Sequence, residues 1–141
     1  MIPASAAATG VTFVWLGMVL AISFLEAPLK FRAPGVDLRV GLGIGRLVFR
    51  ALNTVEAVLA AALIVMIVIT GPPTGTVVAA VITVAILAVQ LGLVRPRLTR
   101  RTDRVLAGED TPRSKSHHVY IVLETAKVAA LLVTGILLLT A

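Results

Sequence analysis

Four long apolar runs constrain this chain more than any other feature. Each run is close to the roughly 20 residues that a helix needs to cross the hydrocarbon core of a bilayer. The chain of 141 residues is 58% hydrophobic and 14% charged, which is far more apolar than a soluble globule of this size. The sequence therefore predicts an all-α integral membrane protein that forms a single four-transmembrane-helix bundle. The predicted helices cover residues 8–27, 44–70, 76–94 and 112–140.

Prolines and glycines set the predicted helix ends. Pro28 is expected to end the first helix and Arg95-Pro96 to end or kink the third, because proline removes a hydrogen bond and clashes with the preceding turn. The uncharged segment 71–75 predicts a tight turn between antiparallel helices. Leu98, Val105 and Leu106 favour an amphipathic turn on the membrane surface. The segment 110–112 has the pattern of an N-cap followed by proline at the first helical position.

Basic residues predict the orientation of the chain. Five lie in or beside the first connector and seven in the third, whereas the middle turn and both termini contain none. Cytoplasmic loops carry an excess of Lys and Arg, so we expect connectors 28–45 and 95–115 to be cytoplasmic and both termini to lie outside (N-out/C-out). The expected location of the protein is the cell (inner or plasma) membrane. Topology thus explains the net charge of +6, and no nucleic-acid partner is expected. The absence of cysteine excludes disulfides and thiolate sites.

A polar stripe enters the second predicted span. Arg46, Phe49, Asn53 and Glu56 follow each other at steps of three, four and three, so they share one face of a helix. A charged side chain near the bilayer centre costs about 2.5–3.5 kcal/mol on insertion scales. These side chains therefore need partners or have a function.

The fourth predicted span repeats this spacing with His117, Tyr120, Glu124 and Lys127. Glu56 and Lys127 lie roughly 10 and 12 Å inside their spans, so a Glu56–Lys127 pair is expected, and a Glu124–Arg46 pair is the other candidate. Glu26, Gln90 and Arg50 are expected to join the same polar cluster in the cytoplasmic half of the bundle. Trp15, well inside the first span, is expected to make lipid or packing contacts.

The stripes predict an intramembrane polar pocket that faces the cytoplasm and binds a small or lipophilic molecule. Glu56 and Glu124 are the candidate catalytic residues, as general acid or base, although the sequence leaves open whether the protein is an enzyme. The candidate ligand-binding residues are Glu26, Arg46, Asn53, His117, Tyr120 and Lys127.

The pattern Arg46-x6-Asn53-x2-Glu56 resembles the signature of the membrane-associated glutathione-transferase and eicosanoid-metabolism superfamily (MAPEG). The resemblance implies a trimer that binds glutathione near the cytoplasmic face, with Arg46, Asn53 and Glu56 holding it, and a transferase or isomerase activity. The chain also resembles small bacterial four-span membrane proteins in its Pro28-x-Lys30-Phe31 and Asn53-x-x-Glu56 elements.

Other functions remain open at this stage. The stripes could satisfy each other as structural ion pairs, in which case the protein is a structural four-helix membrane subunit. A small proton-coupled transporter would also use an intramembrane Glu, but the outer half of the predicted bundle offers only hydroxyls. No metal site is expected, because His117 and His118 point about 100° apart. Four short helices bury few faces alone, so a homo-oligomer is expected.

Overall fold

The computed structural model describes residues 2–109 and 115–141, and their main elements are four long helices. We label them α1 (Pro3–Arg32), α2 (Leu38–Thr70), α3 (Thr74–Leu106) and α4 (Lys115–Thr140). Each is long and apolar enough to cross a membrane, and the described residues contain no strand. The prediction of an all-helical fold with four apolar helices is confirmed.

The helices form a closed ring. α1 packs against α2 and α4, and α3 packs against α4 and α2. The α1–α2 connector and the end of α3 lie at one end, which we call the basic end. Ile2, the α2–α3 turn and Ala141 lie together at the opposite end. Trp15, Leu63 and Leu131 are fully buried in the core, whereas large apolar side chains such as Val68 are exposed on the outside. An apolar exterior of this extent is typical of a surface that contacts lipid.

Neither proline ends its helix, so the ends predicted at residues 27 and 94 were wrong, whereas the kink that was the alternative at Pro96 stays a prediction. α1 continues through Pro28 to Arg32, and α3 continues through Pro96 to Leu106. A proline loses its hydrogen bond to the residue four positions earlier and clashes with that carbonyl. In both helices that residue lies in a π-helical segment, Leu20–Glu26 or Gln90–Val94, whose wider turns accommodate the proline ring.

α2 begins at Leu38, six residues before the predicted start. The Asp37 side chain caps it by accepting a hydrogen bond from the Val40 backbone N–H at 2.9 Å. Gly41 lies directly against the Phe31 ring, where any side chain would collide with it.

The stretch of α3 beyond Pro96, where an amphipathic turn on the membrane surface was expected, extends α3 and packs along the first turns of α2. Its position relative to a membrane stays a prediction. Arg39 donates a hydrogen bond to the Leu106 carbonyl at 2.9 Å, and Arg46 forms an ion pair with Asp103. At 1.5 Å per residue, α2 and α3 are each roughly 50 Å long and exceed the hydrocarbon core of about 30 Å. The predicted cap at 110–112 lies outside the described residues.

Candidate functional site

Six polar side chains from all four helices meet in the bundle interior. We call them the acid–lysine cluster. Trp15, Glu56, Gln90, Glu124 and Lys127 are each at most 1% exposed, and Ser23 is half-buried. Polar groups so far from water need protein partners, because each one left unpaired costs free energy. The members are Trp15 and Ser23 of α1, Glu56 of α2, Gln90 of α3, and Glu124 and Lys127 of α4.

Lys127 lies at the centre of the cluster. Its ammonium forms an ion pair with Glu56, and a second with Glu124 at 2.6 Å from Oε1. It also donates a hydrogen bond to Gln90 Oε1 at 2.9 Å. A lysine has three N–H donors, so these three acceptors satisfy it completely.

The two carboxylates receive further donors from α1 and α3. Trp15 Nε1 donates to Glu56 Oε2 at 2.8 Å. Ser23 Oγ donates to Glu124 Oε2 at 2.6 Å, and Gln90 Nε2 donates to Glu124 Oε1 at 3.2 Å. The cluster therefore joins all four helices through hydrogen bonds.

The charges in the cluster do not balance. Two buried carboxylates share one buried ammonium, so the fully ionised cluster carries a net charge of −1. An uncompensated charge in a water-excluded interior costs several kcal/mol. Glu56 Oε1 is buried and has no hydrogen-bond partner among the described residues. A single proton on one carboxyl group would bring the cluster to neutrality and turn that group into a donor.

A second layer of side chains lies between the cluster and the basic end. The Phe49 and Tyr120 rings meet edge to face with centroids 6.1 Å apart. The Arg95 guanidinium lies 4.5 Å from the Tyr120 centroid and 5.0 Å from that of Phe49, and Lys30 lies 5.6 Å from Phe49. Cations at such distances are attracted to the ring faces. We call these four residues the aromatic–cation layer.

Tyr120 links the two layers. It lies one helical turn from Glu124 on α4 and is 7% exposed, and its hydroxyl, although close to the Arg95 guanidinium, makes no well-formed hydrogen bond within the described part of the chain. A buried Tyr hydroxyl usually finds a partner, so this group is available to a water molecule or a ligand.

Four residues that the sequence placed in one polar cluster do meet in the structure, namely Glu56, Gln90, Glu124 and Lys127. The expected Glu56–Lys127 pair is present. The expected Glu124–Arg46 pair does not form, because Lys127 occupies Glu124 and Asp103 pairs with Arg46.

The remaining predicted residues lie outside the cluster. Glu26 is partly exposed and lies 3.8 Å from Lys30. Asn53 is half-buried on α2, one turn from Glu56, and Arg50 is exposed. The His117 ring contacts the His118 ring, with centroids 5.8 Å apart.

Sequence reasoning missed the contributions of α1. Trp15 was expected to contact lipid or to pack, and it does pack in the core, but the donation of its indole N–H to Glu56 was not predicted. The signal available was a single tryptophan in the middle of an apolar span, where the indole N–H requires an acceptor. Ser23 lies within the π-helical segment of α1, where the altered turn changes the face on which a side chain lies.

The opposite half of the bundle offers no continuation of the cluster among the described residues. Its buried hydroxyls at Thr12, Thr83 and Thr134 donate to carbonyls four residues earlier on their own helices, at 2.7–2.9 Å. Apolar side chains such as Leu63 and Leu131 fill the space between them. The polar interior is therefore one-sided and lies toward the basic end.

Two cavities of about 250 Å³ each lie away from the cluster, one at the opposite end beside Thr70 and Leu138, the other between α3 and α4 at the basic end. Side chains of the cluster itself occupy its interior. Over residues 2–109 and 115–141, no group of three or more His, Cys, Asp or Glu side chains is placed to hold a metal ion.

No family model matches the chain, and no curated protein or solved structure matches it either, so the MAPEG resemblance and the glutathione site remain predictions.

Proposed function

We propose that this protein inserts into a membrane as a four-span bundle and that its acid–lysine cluster takes up and releases one proton when a small or lipophilic molecule binds from the basic end. One observation carries this proposal: two buried carboxylates share one buried ammonium. Ionisable residues inside a membrane are expensive to keep and are functional by default.

A proton suits this cluster better than a larger cation. Lys127 repels any metal ion or organic ammonium that approaches Glu56 and Glu124. The interior is already filled by the side chains of the cluster, whereas a proton needs no added space. Glu56 Oε1, which has no partner among the described residues, is an acceptor for it.

The ligand would approach through the aromatic–cation layer. A molecule entering from the basic end meets Arg95 and the Tyr120 hydroxyl before it reaches Glu124, one turn deeper. Movement of these two side chains would open the cluster to that molecule. A carboxyl group that holds a proton there would act as a general acid, so Glu124 or Glu56 would be the acid–base group if the ligand is transformed.

The charge excess argues against glutathione as the ligand. Glutathione carries carboxylates, and a site with a surplus carboxylate of its own disfavours a further anionic group, whereas a neutral polar group meets no such repulsion. Of the three residues that the MAPEG resemblance groups together, Glu56 is bound to Lys127 and Trp15, and Arg46 is paired with Asp103. A transferase or isomerase activity with another lipophilic substrate remains part of the proposal.

Internal stabilisation of the bundle is the second candidate function. The completed donor set of Lys127 favours it, because the cluster then joins four helices without any ligand. Proton-coupled transport is a weaker candidate, since a transport path needs polar lining in both halves of the bilayer.

Trp15 provides the experiment, because it is the only tryptophan in the chain and its indole donates to Glu56. Its emission responds to the charge of the neighbouring carboxylate, so the folded protein in lipid nanodiscs should show a reversible change in emission between acidic and alkaline pH. Glu56→Gln and Glu124→Gln should each abolish the change, and Glu26→Gln, at a partly exposed carboxylate, should preserve it. A wild-type signal that is flat with pH would leave only the structural role.

Native mass spectrometry of gently extracted protein tests the second half of the proposal. We expect a homo-oligomer that retains a small ligand, and we expect Tyr120→Phe to reduce retention without changing the copy number. If the wild-type protein never carries a ligand, binding is excluded even when the pH response is present.

A further inference from the structure

A second site lies between α3 and α4, and it is separate from the acid–lysine cluster. A groove of about 250 Å³ opens there on the outside of the bundle at the basic end. Its deeper part is apolar and is lined by Val89 and Leu93 of α3 and by Val119 of α4. All three are large apolar side chains with at least 40% of their surface exposed, which suits contact with an acyl chain.

The shallower part of the groove is polar and positively charged. Arg97, Lys115 and Ser116 line it, and neither Arg97 nor Lys115 has an ion-pair partner among the residues described. Arg97 lies eight residues beyond Val89 on α3, a rise of roughly 12 Å along the helix. The groove thus changes from apolar to cationic along its length, as a membrane changes from acyl chains to headgroups.

We propose that this groove binds one anionic phospholipid, with its phosphate held by Arg97 and Lys115 and an acyl chain lying against Val89, Leu93 and Val119. Charge complementarity selects this occupant, because two cations without an ion-pair partner in the described part of the chain, at the mouth of an apolar groove, attract an anionic amphiphile and not a zwitterionic one. Arginine can hold a phosphate through two hydrogen bonds and lysine as a point charge, and the Ser116 hydroxyl is a further donor. The proposal does not depend on a proton in the acid–lysine cluster.

Lipid retention in native mass spectrometry tests this inference. The full chain is purified in a neutral detergent and titrated with phosphatidylglycerol, phosphatidylcholine or oleate. We expect wild-type protein to retain one phosphatidylglycerol per chain in preference to phosphatidylcholine. The double variant Arg97→Gln/Lys115→Gln should weaken this retention roughly thirtyfold, because each cation near an anionic headgroup contributes about a fivefold factor.

The matched control is Arg100→Gln/Arg104→Gln, which removes two exposed cations from the same stretch of α3 but leaves the groove intact. It should change retention much less than the groove variant. Equal losses in the two double variants would show diffuse attraction to a basic surface and would overturn the site. Retention of oleate without phosphatidylglycerol would overturn the phospholipid assignment. Circular dichroism and gel filtration establish that both variants fold.

Discussion

Replacing Lys127 by methionine should be among the most damaging single changes in this protein. Methionine nearly matches the volume of lysine, so the substitution removes the charge with little change in packing. It leaves the Glu56 and Glu124 carboxylates buried without their shared ammonium. Removing one partner of a buried ion pair costs about 3–5 kcal/mol. The equilibrium constant for unfolding should therefore rise by roughly two to four powers of ten.

The acidic partners should behave differently. Glu124→Gln removes the surplus charge and keeps an oxygen that accepts hydrogen bonds, so its cost should stay near that of one hydrogen bond, about 0.5–1.5 kcal/mol. The triple variant Glu56→Gln/Glu124→Gln/Lys127→Met should recover much of the stability that Lys127→Met loses, because no buried charge remains. Lys115→Met is the control, since Lys115 is exposed on the same helix.

Unfolding in mixed micelles at rising mole fractions of dodecyl sulfate, followed by Trp15 emission, measures these differences. The expected order of stability is wild type and Lys115→Met first, Glu124→Gln close behind, and Lys127→Met far below. A Glu124→Gln variant as unstable as Lys127→Met would refute the inference that the cluster has one carboxylate too many.

Two other substitutions test the packing and the capping of the helices. Gly135→Ala would place its Cβ 2.6 Å from the Phe13 ring, so it should destabilise the bundle by about 1–3 kcal/mol in the same micelle assay. Gly10→Ala is the control, and because Gly10 has open space around it, this change should be neutral or slightly stabilising. Asp37→Ala should cost about 1 kcal/mol through loss of the α2 cap, and it should speed hydrogen exchange in the first turn of α2. Asp37→Asn should retain most of the effect of the cap. Unchanged hydrogen exchange in Asp37→Ala would contradict the assignment of Asp37 as the cap.

The fold and four of the six cluster residues could be predicted from the sequence. Glu56, Glu124 and Lys127 follow from helical periodicity, and Gln90 is the strongly polar side chain of the third apolar run. The stripes on α2 and α4 have the same spacing and comparable depth, so Glu56 and Lys127 meet once the helices pack. The start of α2 was also readable, because Asp37 stands directly before the helix and has the side chain that favours an N-cap. The predicted start at residue 44 was too late, because residues 37–43 were assigned to the connector.

The remaining features depend on tertiary packing. Between Pro3 and Leu25, α1 is apolar on every side apart from scattered hydroxyls, so its sequence does not show that Trp15 and Ser23 face inward. Proline ends neither helix, because a π-helical segment precedes each of Pro28 and Pro96 and its wider turns accommodate the ring. The π-helical segment of α1 contains Ser23, and that of α3 begins with Gln90. The two segments that precede these prolines therefore each contribute one residue to the cluster.

Infrared spectroscopy of the protein reconstituted in lipid at neutral pH tests the shared proton most directly. A protonated carboxyl group gives a carbonyl stretching band that an ionised carboxylate lacks. We predict one such band in the wild-type protein, its loss in both Glu56→Gln and Glu124→Gln, and its persistence in Glu26→Gln. A wild-type spectrum without the band would show that both cluster carboxylates are ionised and would contradict the proposed proton site.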